Sequence, residues 1–166
     1  MRKELKEIEI YKFDELNEEI QEELIEKEIE FEYNNYCELE LYEDMKAKAK
    51  SLLQKYFKNK AEFKGICYSL GYCQGDGAMI EFYLKYYNED LQIKQYGHYY
   101  HYNSFTIENC WKLSDERFNK LQNRICEMNQ EFEKIGYNLI ENCIDKESIV
   151  DLLKEYEYYK DGEKYI

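Results

Sequence analysis

The stretch Tyr68–Phe82, YSLGYCQGDGAMIEF, sets a glycine-rich turn between two runs of alternating side chains, and its reading decides the fold. Ile66, Tyr68, Leu70 and Tyr72 alternate with smaller or polar residues before the turn. After it, Ala78, Ile80, Phe82, Leu84 and Tyr86 alternate with Met79, Glu81, Tyr83, Lys85 and Tyr87. A period of two means strands, and Gln74-Gly75-Asp76-Gly77 is then the turn of an antiparallel hairpin. The face carrying Ile80, Phe82 and Leu84 is expected to be the buried one. A second hairpin follows, with a turn at Asn88-Glu89-Asp90, a strand over Leu91–Tyr96, a break at Gly97 and a strand over His98–Ile107.

Outside this sheet the period is that of helices. Asn17 is a good N-cap, Glu18 and Glu19 fill a first turn where the helix dipole favours acids, and Leu16, Ile20, Leu24, Ile25 and Ile29 recur on one face. This helix is expected to end near Asn34-Asn35, and a second to run over about Glu38–Lys58 with Tyr42, Met45, Ala49, Leu52, Leu53 and Tyr56 as its stripe. The short connection predicts an antiparallel pair. Glu7–Phe13 alternates as a short leading strand. Beyond the sheet, Ser114 caps a helix whose stripe is Phe118, Leu121, Ile125, Met128, Phe132, Ile135 and Leu139, with Gly136 a place for a kink. A last helix begins at Asp145 and carries Leu152, Leu153 and Tyr156. The prediction is a single α+β domain over 1–166: an N-terminal helical hairpin, a four-stranded antiparallel sheet and a C-terminal helical hairpin. The regular stripe over 118–139 also offers a seam for a homodimer.

Charge is distributed unevenly. Residues 1–44 carry 17 acids and 5 bases, 45–60 carry 6 bases and no acid, and the whole chain has a net charge of −13. A chain this acidic argues against direct binding of nucleic acid, which needs clustered cations. Between Asp14 and Glu32 there are ten acids and one Lys. As a helix, that segment would carry one charge per roughly 3 Å, close to the ~3.4 Å of one strand of duplex DNA. Asp14, Glu15, Glu18, Glu19, Glu22, Glu23 and Glu26 are therefore candidates to compete for a basic, nucleic-acid-binding surface on a protein partner. The plain alternative is a solvated helix face.

Other motifs point to little chemistry. Gln74, Gly75, Asp76 and Gly77 form a turn whose glycines could leave backbone N–H groups open to a partner or a phosphate, yet no P-loop Lys-Ser/Thr follows. Tyr83 and Tyr99 are the kind of rigid amphipathic side chains favoured at interaction surfaces. His98 and His101, the two histidines, are three apart and would point to opposite faces of a strand, so no metal site is expected. Neither a Ser elbow nor a recognisable Cys–His arrangement occurs, and no catalytic residue or cofactor is assigned. Six scattered cysteines without CxxC spacing read as reduced thiols. With no run of eighteen apolar residues and no signal-like N-terminus, the expected location is the cytoplasm, away from membranes.

YKFDELNEEIQEELIEKEIE (Tyr11–Glu30) and YSLGYCQGDGAMIEF (Tyr68–Phe82) resemble a family of small phage and prophage proteins. That family's pattern opens with YKFDELSEEAKEKA and later shows YSLSYCQGDGA. Asn17 replaces the usual Ser, Gly71 replaces Ser, and acids replace much of the Lys/Ala pattern in the first helix. The resemblance implies a mobile-element protein, antitoxin-like by label. By analogy it implies a non-enzymatic inhibitor that blocks a host defence component in the host cytoplasm, in the manner of an anti-CRISPR. Two alternatives stand beside that one: a module sequestering a nucleotide defence signal, and an antitoxin neutralising a cognate toxin.

Overall fold

The structure is a computed structural model and describes residues 8–165. The chain divides into two compact units, one formed by 1–38 with 142–166 and the other by 39–141.

The second unit holds the sheet. Strands β2 (Ala61–Ser69), β3 (Gly77–Tyr86), β4 (Glu89–Gln95) and β5 (Phe105–Glu108) form an antiparallel meander in that spatial order. Ile66 pairs with Ile80, Phe82 with Ile93 and Ile93 with Ile107, so the branched and aromatic side chains meet across the ladders. Helix α2 (Leu41–Phe57) lies on β2, and α3 (Asp115–Glu141) packs on β3 and on α2. Met45, Ala49, Leu52 and Leu53 of α2, Ile80, Phe82, Leu84, Leu91 and Ile93 of the sheet, and Leu121, Ile125, Met128 and Phe132 of α3 are all buried. Burying that much apolar surface is what holds the unit together.

The α3 stripe is therefore covered within the protomer at its central residues, rather than left free as a seam for a second copy. The helix continues through Gly136 instead of breaking there. A side chain at Gly136 would come within 3.1 Å of Met45 Cε and 3.0 Å of Leu70 Cδ1, so the glycine serves close packing.

The first unit is built from a two-stranded ribbon, β1 (Tyr11–Lys12) with β6 (Glu157–Tyr158), and helices α1 (Glu18–Leu39) and α4 (Lys146–Lys154). Its core is Phe13, Leu16, Ile149, Leu153 and Tyr158, with Ile20, Leu24, Ile25 and Ile29 of α1 packed against it. The expected cap at Asn17 is present, and Asp145, where the last helix was expected to begin, caps α4. Asn17 Oδ1 accepts from Ile20 N–H at 2.8 Å, and Asp145 Oδ1 accepts from Glu147 N–H at 3.2 Å.

Several expectations are corrected. Instead of two helical hairpins flanking a sheet, α1 and α4 contribute to one unit while α2 and α3 contribute to the other. Of the expected leading strand, Glu7 lies outside the described residues, and only Tyr11–Lys12 is extended in a ladder. Tyr156 falls beyond the end of α4, and the ribbon strand Glu157–Tyr158 takes up the chain there. The last sheet strand starts at Phe105, not at His98, because residues 96–104 leave the ladder as a loop. The β3–β4 turn is Tyr87-Asn88, both at positive φ (49° and 65°), which leaves Glu89 and Asp90 inside β4. Two residues of that backbone twist suit a tight hairpin better than the three-residue turn read from the sequence.

Candidate functional site

Helix α1 presents an acidic arc. At about 100° per residue, Glu19, Glu22, Glu23, Glu26 and Glu30 share an arc of roughly 100°, with Glu18 at its edge. All six are exposed, as are Asp14 and Glu15 in the short 3₁₀ turn before the helix. Ile20, Leu24, Ile25 and Ile29 of α1 pack on its unit's core, and this packing fixes which way the glutamates point. Of the seven acids singled out in the sequence, Glu23 alone has a cation within 4.0 Å among the described residues, Lys27 at 2.6 Å. Glu28, on the far side of the helix from the arc, lies 3.9 Å from Lys164. Among the described residues the arc thus keeps most of its charge without a cation within 4.0 Å.

The glycine loop is arranged differently from the open tip expected. Gly75 and Gly77 are buried, while Gln74 is exposed. Gly75 sits at φ 99°, its carbonyl accepts from Tyr100 N–H at 2.9 Å, and a Cβ there would lie 2.3 Å from Tyr99 Cδ1. A Cβ on Gly77 would lie 2.5 Å from Glu133 Oε2 and 2.8 Å from the Tyr100 carbonyl oxygen. The glycines are there so that loop 96–104 and α3 can close over the turn. Asp76 caps its own loop, its Oδ2 accepting from Cys73 N–H at 2.8 Å. A hydrogen bond from the Ser69 hydroxyl, with that of Cys73 N–H, holds the Asp76 carboxyl below its usual range.

Tyr99, half exposed, stacks on His101 with ring centroids 6.0 Å apart. The structure thus brings Gly75, Asp76, Gly77, Tyr99 and His101 together, whereas Tyr83 stands apart on the exposed side of β3. Cys73 donates its thiol hydrogen to the Gly71 carbonyl at 3.6 Å. Among the described residues no three His, Cys, Asp or Glu side chains converge as a metal site, and all six cysteines are free thiols. No helix of the described residues is long and apolar enough to cross a membrane.

Comparison with protein families, with curated proteins and with solved structures finds no match. The chain's own geometry therefore carries the reading.

Two features escaped the sequence. Asn129 is fully buried in the α3 stripe, its Oδ1 accepting from Ile80 N–H at 3.2 Å and its Nδ2 donating to the Tyr102 carbonyl at 3.1 Å. It does so because β4 pairs with β3 only from Phe82 onward, leaving Ile80 N–H without a strand partner. Glu81 Oε1 meets Gln95 N–H at 2.9 Å in the same gap. Periodicity signals only that position 129 faces inward, and the missing ladder bond is a tertiary fact.

The second is a groove of about 1490 Å³ beside the Tyr87-Asn88 turn, lined among others by Lys60, Lys85, Lys120 and Arg124. Its one sequence signal was the basic run over 45–60, which contributes Lys55 and Lys60.

Proposed function

We propose that this protein is a non-enzymatic binding protein that uses the acidic arc of α1 to occupy a basic, nucleic-acid-handling surface on a partner protein. The single observation that carries this is the arc itself: Glu19, Glu22, Glu23, Glu26 and Glu30 exposed on one side of α1, with Lys27, beside Glu23, the sole cation within 4.0 Å of them among the described residues. A row of carboxylates held by a helix steers a cationic partner and matches the charge spacing of a nucleic-acid strand. The glycine loop is left out of this reading, because Gly75 and Gly77 are engaged by Tyr99, Tyr100 and Glu133. The resemblance of Tyr11–Glu30 and Tyr68–Phe82 to phage proteins supports a host defence component as that partner and the host cytoplasm as the place.

The test is capture of the partner from host lysate, its identification, and reconstitution of the purified pair. Affinity is expected to fall about tenfold or more between 50 and 200 mM salt. It is expected to fall further with Glu18→Lys, Glu19→Lys, Glu22→Lys and Glu23→Lys combined, and duplex DNA is expected to compete. A reconstituted complex indifferent to all three would sink this reading.

A further inference from the structure

A groove of about 1490 Å³ lies beside the β3–β4 turn. Its walls come from the end of α2, the β3–β4 hairpin and the first half of α3, all within 39–141. Five cations and three carboxylates line it. Their partners decide how much charge is free. Lys55 is held by Glu131 at 2.6 Å, and Arg124 donates to the Tyr56 carbonyl and lies over the Phe57 ring. Glu89 is met by Lys112 at 3.3 Å, whereas Asp90 and Glu127 remain as the opposing carboxylates. Lys60, Lys85 and Lys120 are exposed and have no carboxylate within 4.0 Å among the described residues.

Beside these three ammonium groups stands an aromatic platform. Tyr87 is 59% exposed and meets Tyr86 edge-on at 4.7 Å, and the Arg117 guanidinium lies 4.1 Å from its ring centroid. A bulky residue at φ 49° is uncommon, and Asn or Gly would suit that turn position better. The turn therefore holds an aromatic ring in solvent at some conformational cost, a pattern found where a side chain serves binding.

An exposed aromatic ring in a groove that lysines also line is the chemistry that recognises a strand of unpaired nucleotides: bases stack on aromatic rings and guanidinium planes while phosphates meet lysines. The chain's net charge of −13 does not oppose it locally, because 39–141 carries 14 bases against 15 acids and screening acts over about 8 Å at physiological salt. We propose that this groove binds a short single-stranded nucleic acid, with a base on the Tyr87–Arg117 platform and phosphates at Lys60, Lys85 and Lys120.

The experiment is fluorescence anisotropy of the full chain with labelled hexathymidylate and with an abasic hexamer of the same backbone. Hexathymidylate is expected to bind with a Kd of about 10⁻⁴ to 10⁻⁵ M, with a slope of log K against log salt of about −2, as three phosphates at roughly −0.7 each require. Lys60→Glu with Lys120→Glu is expected to abolish the signal. Tyr87→Asn is expected to weaken binding about tenfold while the melting temperature holds or rises, because Asn tolerates the left-handed turn. That opposition of sign separates a binding role from a structural one. The proposal is overturned by no binding at 50 mM salt, by equal affinity for the abasic hexamer, or by indifference to both variants.

Discussion

The two compact units treat charge in opposite ways. Residues 1–38 with 142–166 hold 21 acids and 9 bases, whereas 39–141 hold 15 acids and 14 bases, so nearly all of the net −13 belongs to one unit. In the first, the surplus stands on α1, a 22-residue helix with no fully buried side chain. In the second, α3 buries Leu121, Ile125, Met128, Asn129, Phe132 and Gly136, and surface charges pair as Lys55–Glu131, Lys94–Glu108 and Lys112–Glu89. The lesson is that net charge describes a chain, while binding is decided by surfaces. A strongly acidic total conceals a neutral unit with a cationic groove.

This contrast can be broken most forcefully at Asn129. Asn129→Leu puts an apolar side chain of similar size in the stripe but strands Ile80 N–H and the Tyr102 carbonyl, and is expected to cost about 3 kcal/mol by urea denaturation. A loss under about 0.5 kcal/mol would mean that this contact is not holding the second unit together.

In the first unit the corresponding buried polar group is Tyr158, whose hydroxyl donates to the Leu153 carbonyl at 2.8 Å. Burial, with Glu28 nearby, pushes its phenol up to about 12 from 10.0. The unfolded phenol ionises first as pH rises, so this contribution is whole below pH 10 and is lost between pH 10 and 12. The loss is about 2–3 kcal/mol, and Tyr158→Phe should flatten that part of the stability–pH curve. An unchanged alkaline limb in Tyr158→Phe would assign the sensitivity to another group.

The smallest effect is expected on the acidic arc. Glu22→Ala should change stability by less than about 0.5 kcal/mol, because the side chain is exposed with no cation within 4.0 Å among the described residues. A clear destabilisation would show that the arc serves the fold rather than a partner.

Local pattern made much of this legible. The alternation through Ala78, Ile80, Phe82 and Leu84 placed the buried face of β3, and all four are buried. Asn17 was readable as a cap, and Asp145 as the start of the last helix, because a cap needs only a side-chain oxygen and a nearby N–H. Met79 was not, since it lies on the face expected to be open yet is fully buried. Period two tells which residues share a face, not whether anything covers the other one. The glycine loop misled for a related reason: the glycines of Gly75-Asp76-Gly77 signal a backbone approached closely, and only the fold shows that Tyr99, Tyr100 and Glu133 do the approaching.

The acidic residues of α1 were found from composition, whereas the groove drew Lys60, Lys85 and Lys120 from three separate segments. Helix and strand periods, caps and the concentration of carboxylates near the N-terminus follow from neighbours along the chain, and the sequence alone determined them. Which helix joins which unit, what seals the glycine loop, why Asn129 is buried and where Lys60, Lys85 and Lys120 line one groove with Tyr87 were decided by tertiary structure. Those features depend on contacts between residues tens of positions apart, and local sequence carries no record of such distances.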